Sequence, residues 1–174
     1  FVTWRRDEGY YAGSGWKGTW ASEGGGVLIN QSIHTLDLLL RYFGEPERVE
    51  ATMSNHHLKG CVEVEDTVEA WMTFAGGKRA CFYASNGYAT DAPVILELQG
   101  EKGRITMNGD FISLWTAEDG MKHFSYEHET DIGKPYWGYG HRVCIQDFYE
   151  CLDKHIDFQA DIKGVENVFL TMMN

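Results

Sequence analysis

The sequence predicts an α+β fold, an open and predominantly antiparallel β-sheet with helices packed on one face. Three observations carry that prediction. Helical periodicity comes early, at Ile29, Ile33, Leu36, Leu40 and Phe43; a long run of two-residue periodicity follows from Arg48 to Thr116; helical spacing returns at Val143. Strands do not alternate with helices, GxxxxGK[ST] does not occur, and the one GxGxxG spacing, Gly13 to Gly18, lies in an aromatic stretch of neither period rather than between a strand and a helix, so the sequence holds no sign of a nucleotide-binding βαβ unit.

In chain order, the first 26 residues are aromatic and glycine-rich. Trp4, Tyr10, Tyr11, Trp16 and Trp20 are separated by Gly9, Gly13, Gly15, Gly18 and Gly24 to Gly26. Neither period is present, which predicts a long loop with one short strand near Phe1 to Arg5; its aromatic density argues for order, and loops of that length usually carry function. The helix from Ile29 to Phe43 is stopped by Gly44 and Pro46. Alternation then predicts strands at Val49 to Met53, Val68 to Phe74 and Lys78 to Ser85, with Gly76-Gly77 as a hairpin turn between the last two. Val94 to Gln99, Gly103 to Asn108 and Asp110 to Thr116 complete a meander of five or six antiparallel strands. A polar stretch (His123 to Thr130) and a turn region (Lys134 to Gly140) lead to a helix marked by Val143, Ile145, Phe148 and Leu152, then to another marked by Val165, Phe169 and Met172.

Composition narrows the function classes. The 174 residues are 43% apolar and 24% charged, enough for one good core. Fifteen basic against 26 acidic residues give a formal charge of -11, which excludes a protein that neutralises phosphates along nucleic acid and a polybasic membrane anchor. No apolar run approaches the roughly 20 residues of a bilayer span, and Phe1 to Tyr10 lacks a signal-peptide pattern, so the expectation is a soluble, cytoplasmic chain. The start at Phe1 and the apolar end at Met172-Met173 suggest a fragment. Cys61, Cys81, Cys144 and Cys151 form no CxxC pair and are expected to be reduced, buried thiols rather than zinc ligands.

The first helix places Asn30, His34, Asp37 and Arg41 within about 60° of one another, away from its apolar stripe. A histidine with a carboxylate one turn away is a plausible acid/base unit, and Asn30 can hydrogen-bond a hydroxyl or carbonyl of a substrate. The same pattern also suits an ordinary solvated helix face. Gly24 to Gly26 offer bare backbone for a close approach, and Trp16 and Trp20 can either wall a pocket or pack on a sheet edge.

Trp4-Arg5, Tyr10-Tyr11, Trp16-Lys17-Gly18-Thr19-Trp20 and the string from Glu23 to Asp37, GGG-x3-NQ-x2-H-x2-D, resemble the C-terminal domain of the Gfo/Idh/MocA oxidoreductases. Val64 to Thr67, Leu96 to Gly103 and Gly140-His141 before Asp147-Phe148 match in the same order. The resemblance implies a two-domain enzyme whose upstream Rossmann domain binds NAD or NADP, with residues 1–174 as a single C-terminal substrate-binding and oligomerisation domain, inactive alone. It implies a dehydrogenase acting on a secondary alcohol of a sugar, nucleotide-sugar or cyclitol. By motif, His34 takes the catalytic histidine position, with Asn30, Trp16 and Asp37 on the substrate side and Trp4 and Arg5 near the cofactor. Asn30 stands where inositol dehydrogenase-like members have Asp; members acting on UDP-sugar acids share the Asn-Gln form.

A non-catalytic carbohydrate-binding or dimerising module is the competing expectation. Metal binding by His56, His57, His123 or His128 has weak grounds, because adjacent histidines on a strand point to opposite faces. Trp71 and Thr73 lie on the strand face opposite Met72 and Phe74, which predicts a homo-oligomer formed sheet to sheet over Trp71.

Overall fold

A computed structural model describes residues 1–125 and 140–173, apart from the side chain of Lys163. The predicted turn region 134–139 and the polar stretch beyond Ser125, His128 included, lie outside the described residues. The elements run β1 (Val2–Thr3), α1 (Glu8–Ala12), α2 (Ile33–Phe43), β2 (Pro46–Ser54), β3 (Thr67–Phe74), β4 (Arg79–Ser85), β5 (Ile95–Gly100), β6 (Gly103–Asn108), β7 (Phe111–Thr116), β8 (Gly120–Ser125), α3 (Gly140–Lys154) and α4 (Ile162–Met173).

The α+β class holds, with the strands in two four-stranded sheets ordered β1-β4-β3-β2 and β5-β6-β7-β8. This corrects the expectation of one continuous meander. On the outer edge of β4, β1 pairs in parallel with the last two residues (Val2 with Ala84, Thr3 with Ser85), and β5 does not pair with β4. Instead the Phe1 backbone nitrogen donates to the Ile95 carbonyl at 2.8 Å and the Ile95 amide donates back to Phe1 at 3.1 Å, which places β1 at the seam between the sheets.

Period two decides what is buried. On β3, Val68, Ala70, Met72 and Phe74 are buried while Glu69 and Trp71 are exposed, and the buried set packs with Phe82 and Ala84 of β4. Leu36, Leu39 and Leu40 of α2 and Val168 of α4 close that face. Helices thus cover one face of the first sheet, and Trp71, 62% exposed, lies on the other, opposite Glu50 and Cys81.

Three local expectations change. First, α2 begins at Ile33 rather than Ile29. The Val27 carbonyl accepts from both the Gln31 amide (3.2 Å) and the Ser32 amide (2.9 Å), so the Ser32 amide misses its helical acceptor, Leu28, whose carbonyl takes the Ser32 hydroxyl instead at 3.2 Å. Asn30 therefore sits in a separate turn and not on the helix face. Second, the aromatic loop contains α1, capped by the Asp7 carboxylate accepting the Tyr10 amide at 3.1 Å. Third, Cys151 is buried but Cys61, Cys81 and Cys144 are exposed: Cys61 lies in the loop between β2 and β3, Cys81 opposite Trp71 on the open face of β4, and Cys144 on α3, which buries only Cys151. Among the described residues no helix is long and apolar enough to cross a membrane.

Candidate functional site

The turn that carries Asn30 is irregular backbone, so its amides need acceptors that no strand supplies. Glu65, only 4% exposed just ahead of β3, supplies them. Both its carboxylate oxygens accept from the Gly26 amide at 2.9 Å, Oε1 also accepts from Leu28 at 3.0 Å, and its backbone carbonyl takes Val27 at 3.1 Å. The approach is so close that a Cβ on residue 26 would lie 1.9 Å from the Glu65 carbonyl oxygen, so only glycine fits there.

Asp66, fully buried, repeats the device on the next loop. Its carboxylate accepts from the amides of His57 (2.7 Å) and Leu58 (2.8 Å) and from the Thr67 hydroxyl (2.9 Å). Its carbonyl accepts from the Asn86 amide at 2.8 Å. The Asn86 side chain then donates to Tyr11 Oη and Gln31 Oε1, both at 3.1 Å, and Gln31 Nε2 donates to Tyr10 Oη at 3.3 Å. Two buried carboxylates and one amide thus tie the glycine turn, the loop before β3 and α1 to the start of a single strand. Burial pushes the Tyr11 phenol up to about 12, against the pull of the Asn86 hydrogen bond.

Asn30 is half-buried, and its Nδ2 donates to Glu23 Oε1 at 2.6 Å. The other Glu23 oxygen accepts from the Gly18 amide at 2.6 Å, which links Asn30 to the aromatic loop. That loop is pinned in turn by the Glu63 amide donating to the Gly18 carbonyl (2.7 Å) and by Trp20 Nε1 donating to the Glu63 carbonyl (3.1 Å). Trp16 and Trp20 remain about half exposed, at 51% and 49%.

His34 occupies the first turn of α2 and is exposed. The expected His34–Asp37 pair does not form: Asp37 accepts from Arg41 Nε at 2.8 Å, a partner four residues on whose long arm reaches the carboxylate along the helix. Among the described residues His34 has no hydrogen-bond partner, which leaves both ring nitrogens accessible.

Trp4, Tyr10 and Trp16, separate in sequence, are joined by cations. The Arg6 guanidinium lies 4.9 Å from the Trp4 ring centroid and 5.2 Å from Tyr10; the Lys17 ammonium lies 3.6 Å from Tyr10 and 5.5 Å from Trp16. Arg6 also pairs with Asp91 at 2.9 Å, and the Arg5 amide donates to the same carboxylate at 2.8 Å while the Arg5 side chain is exposed. The structure therefore links Trp4 to Trp16 through Arg6, Tyr10 and Lys17, ties Asn30 to the Gly18 end of that loop through Glu23, leaves His34 one turn further along the chain, and turns Asp37 to Arg41. Glu23, Lys17, Arg6 and Glu65 are the contributors that pattern reasoning missed. For Glu65 and Asp66 a signal existed, since adjacent acidic residues heading an apolar strand demand donors. Among the described residues no three His, Cys, Asp or Glu side chains gather as a metal site.

Comparison with known proteins adds the following. A family model described as the GFO/IDH/MocA C-terminal domain matches residues 1–106. Curated protein sequences give no match. Among solved structures, the WlbA dehydrogenase from Bordetella pertussis, in complex with NADH and UDP-GlcNAcA, superposes with a TM-score of 0.73 at 22% identity, over 98% of this chain and 48% of that one. Levoglucosan dehydrogenase with NADH and levoglucosan gives 0.78 at 19% identity, over 97% and 52%. UDP-N-acetylglucosamine 3-dehydrogenase GnnA from Acidithiobacillus ferrooxidans gives 0.67 at 20% identity, over 84% and 45%. At such identities the likeness is one of fold, and the chain spans about half the length of these structures.

Proposed function

The chain belongs to the family of GFO/IDH/MocA C-terminal domains, and from that membership we propose that it is the substrate-side domain of an NAD- or NADP-dependent dehydrogenase. The proposed substrate is a secondary alcohol of a sugar, nucleotide-sugar or cyclitol. The observation that carries the reading is the arrangement ahead of α2. A turn braced from beneath by Glu65 presents Asn30, the aromatic loop is tied to Asn30 through Glu23, and an unpaired, accessible His34 follows. Solved structures of the same fold, crystallised with NADH and sugar ligands, support it.

In this reading His34 takes a proton from the reacting hydroxyl, or returns it in the reverse direction. Asn30 hydrogen-bonds the substrate, Trp16 borders it, and Asp37, whose Oδ2 is held by Arg41, reaches it from the next turn through Oδ1. The nicotinamide, when bound, supplies the hydride acceptor. The domain offers it one wall only: Trp4, half-buried and backed by the Arg6 guanidinium, fits a flat ring, and the exposed Arg5 offers a cation beside it. In this reading the cofactor phosphates are held by a Rossmann domain of the full-length protein, and the domain alone is inactive. Three exposed free thiols suit a reducing, cytoplasmic setting. The face of the first sheet that bears Trp71 is the proposed homo-oligomer contact.

The test is the full-length protein supplied with NAD+ or NADP+ and a panel comprising levoglucosan, UDP-N-acetylglucosamine and myo-inositol. His34→Ala is expected to lower kcat by about 10²- to 10⁴-fold while leaving the thermal midpoint unchanged. Activity retained within a few-fold removes the catalytic role, and no turnover of any panel member by the unaltered protein counts against the dehydrogenase reading itself.

A further inference from the structure

Two carboxylates flank the glycine turn, and they do different work. Glu65 alone holds the turn's backbone, through Gly26, Val27 and Leu28. Glu23 holds none of it. Its two oxygens instead grip a side chain, Asn30 Nδ2, and an amide from another segment, Gly18, each at 2.6 Å.

A carboxylate only accepts hydrogen bonds, so it forces the amide of Asn30 to face it with nitrogen and to turn the carbonyl oxygen Oδ1 away. We propose that Glu23 is a positioning residue that sets Asn30 as a hydrogen-bond acceptor, so that the substrate group read at this point is a hydroxyl donor and not a carbonyl or carboxylate oxygen. Because the same carboxylate holds Gly18, the setting of Asn30 is coupled to the position of the loop bearing Trp16 and Trp20. The inference rests on the dehydrogenase reading only for the identity of the substrate group; the hold of Glu23 on the two segments stands apart from it.

The chemistry of the pair gives a reversal test. Asn30→Asp alone sets two carboxylates against each other, whereas Asn30→Asp with Glu23→Gln restores a hydrogen bond of opposite direction and keeps an acceptor toward the substrate. In the full-length protein, with the panel sugars as probes, Glu23→Ala is expected to raise KM about tenfold with kcat changed by less than about threefold. Asn30→Asp is expected to do the same or worse, and the reversed pair to return KM to within about threefold of the original. Adding Asn30→Ala to Glu23→Ala should cost little more than either alone, since both remove one interaction. Amide hydrogen exchange supplies the second arm: Glu23→Ala should speed exchange in residues 16–22 and leave β3 protected.

Multiplying effects in the double alanine variant, or no recovery in the reversed pair, overturns the role through Asn30. Unchanged exchange in residues 16–22 overturns the coupling to the loop. If no panel sugar is turned over, the dehydrogenase reading is what fails, and exchange still decides whether Glu23 holds the loop.

Discussion

The turns around Glu65 and the meander β5–β8 solve the same problem by opposite means. In the meander every strand finds its acceptors on a neighbour, in unbroken registers such as Leu98 with Ile105 and Ile105 with Leu114. Its side-chain hydrogen bonds, Thr106 to Glu97 at 3.3 Å and Ser113 with His123 at 3.0 Å, lie at exposed positions on top of a ladder already complete. Around the glycine turn the ladder is missing, and Glu65, Asp66 and Glu23 stand in for backbone acceptors. Backbone that escapes the ladder can present Asn30 and His34 to a ligand, at the cost of burying carboxylates that become indispensable.

The sharpest way to break the comparison is to remove one acceptor from each region. Glu65→Leu strands the Gly26 and Leu28 amides and is expected to destabilise the protein by about 3 kcal/mol, from two lost charge-assisted bonds and their unpaired donors. Glu97→Ala in the meander should cost less than about 0.5 kcal/mol, since its contacts with Thr106 and Arg104 are exposed. Urea unfolding of the two variants decides; equal losses would mean that the ladder and the carboxylates matter alike.

Alkaline pH sharpens it differently. Tyr11, buried beneath the turn, keeps its proton to about 12, whereas the unfolded chain releases it near 10. The folded pKa is the higher one, so its contribution is fully present below pH 10 and is lost as pH rises from about 10 to 12, by up to roughly 3 kcal/mol. Tyr11→Phe should flatten that part of the pH dependence relative to the unaltered protein. Urea midpoints of the two proteins at pH 9 and pH 11 measure it.

Legibility in the sequence follows the same division. The strands β2 to β7 and the stop of α2 could be read because alternation and a glycine at φ 84° are local signals. The two-residue β1 was hinted at only by its position, and its parallel pairing with β4 depends on a partner about eighty residues away. β8 was missed because Met121, Lys122, His123 and Phe124 are all exposed and carry no buried alternation. At the candidate site, spacing and resemblance singled out Asn30 and His34 as proposed site residues. The expected Asp37 partner for His34 gave way to Arg41, which helical spacing also brings alongside Asp37, and Asn30 left the helix because the Ser32 amide goes to the Val27 carbonyl instead of Leu28. The work of Glu23 and Glu65 was not legible, since no period marks a side chain that replaces backbone.

The smallest expected effect on stability belongs to the open face of the first sheet, where Trp71 neither caps a turn nor fills the core. Its strand is paired on both sides, with Glu50 opposite on β2 and Cys81 on β4, so Trp71→Asp should change the monomer's stability by less than about 0.5 kcal/mol. If this face joins two copies, an aromatic side chain 62% exposed in one copy becomes the buried anchor of the pair, and a carboxylate there meets its own image. Light scattering of the full-length protein over a range of concentrations is then expected to show an oligomer that Trp71→Asp weakens by about a hundredfold or more. A monomer at every concentration, or an oligomer indifferent to Trp71→Asp, would leave the face as solvated surface and place any self-association elsewhere.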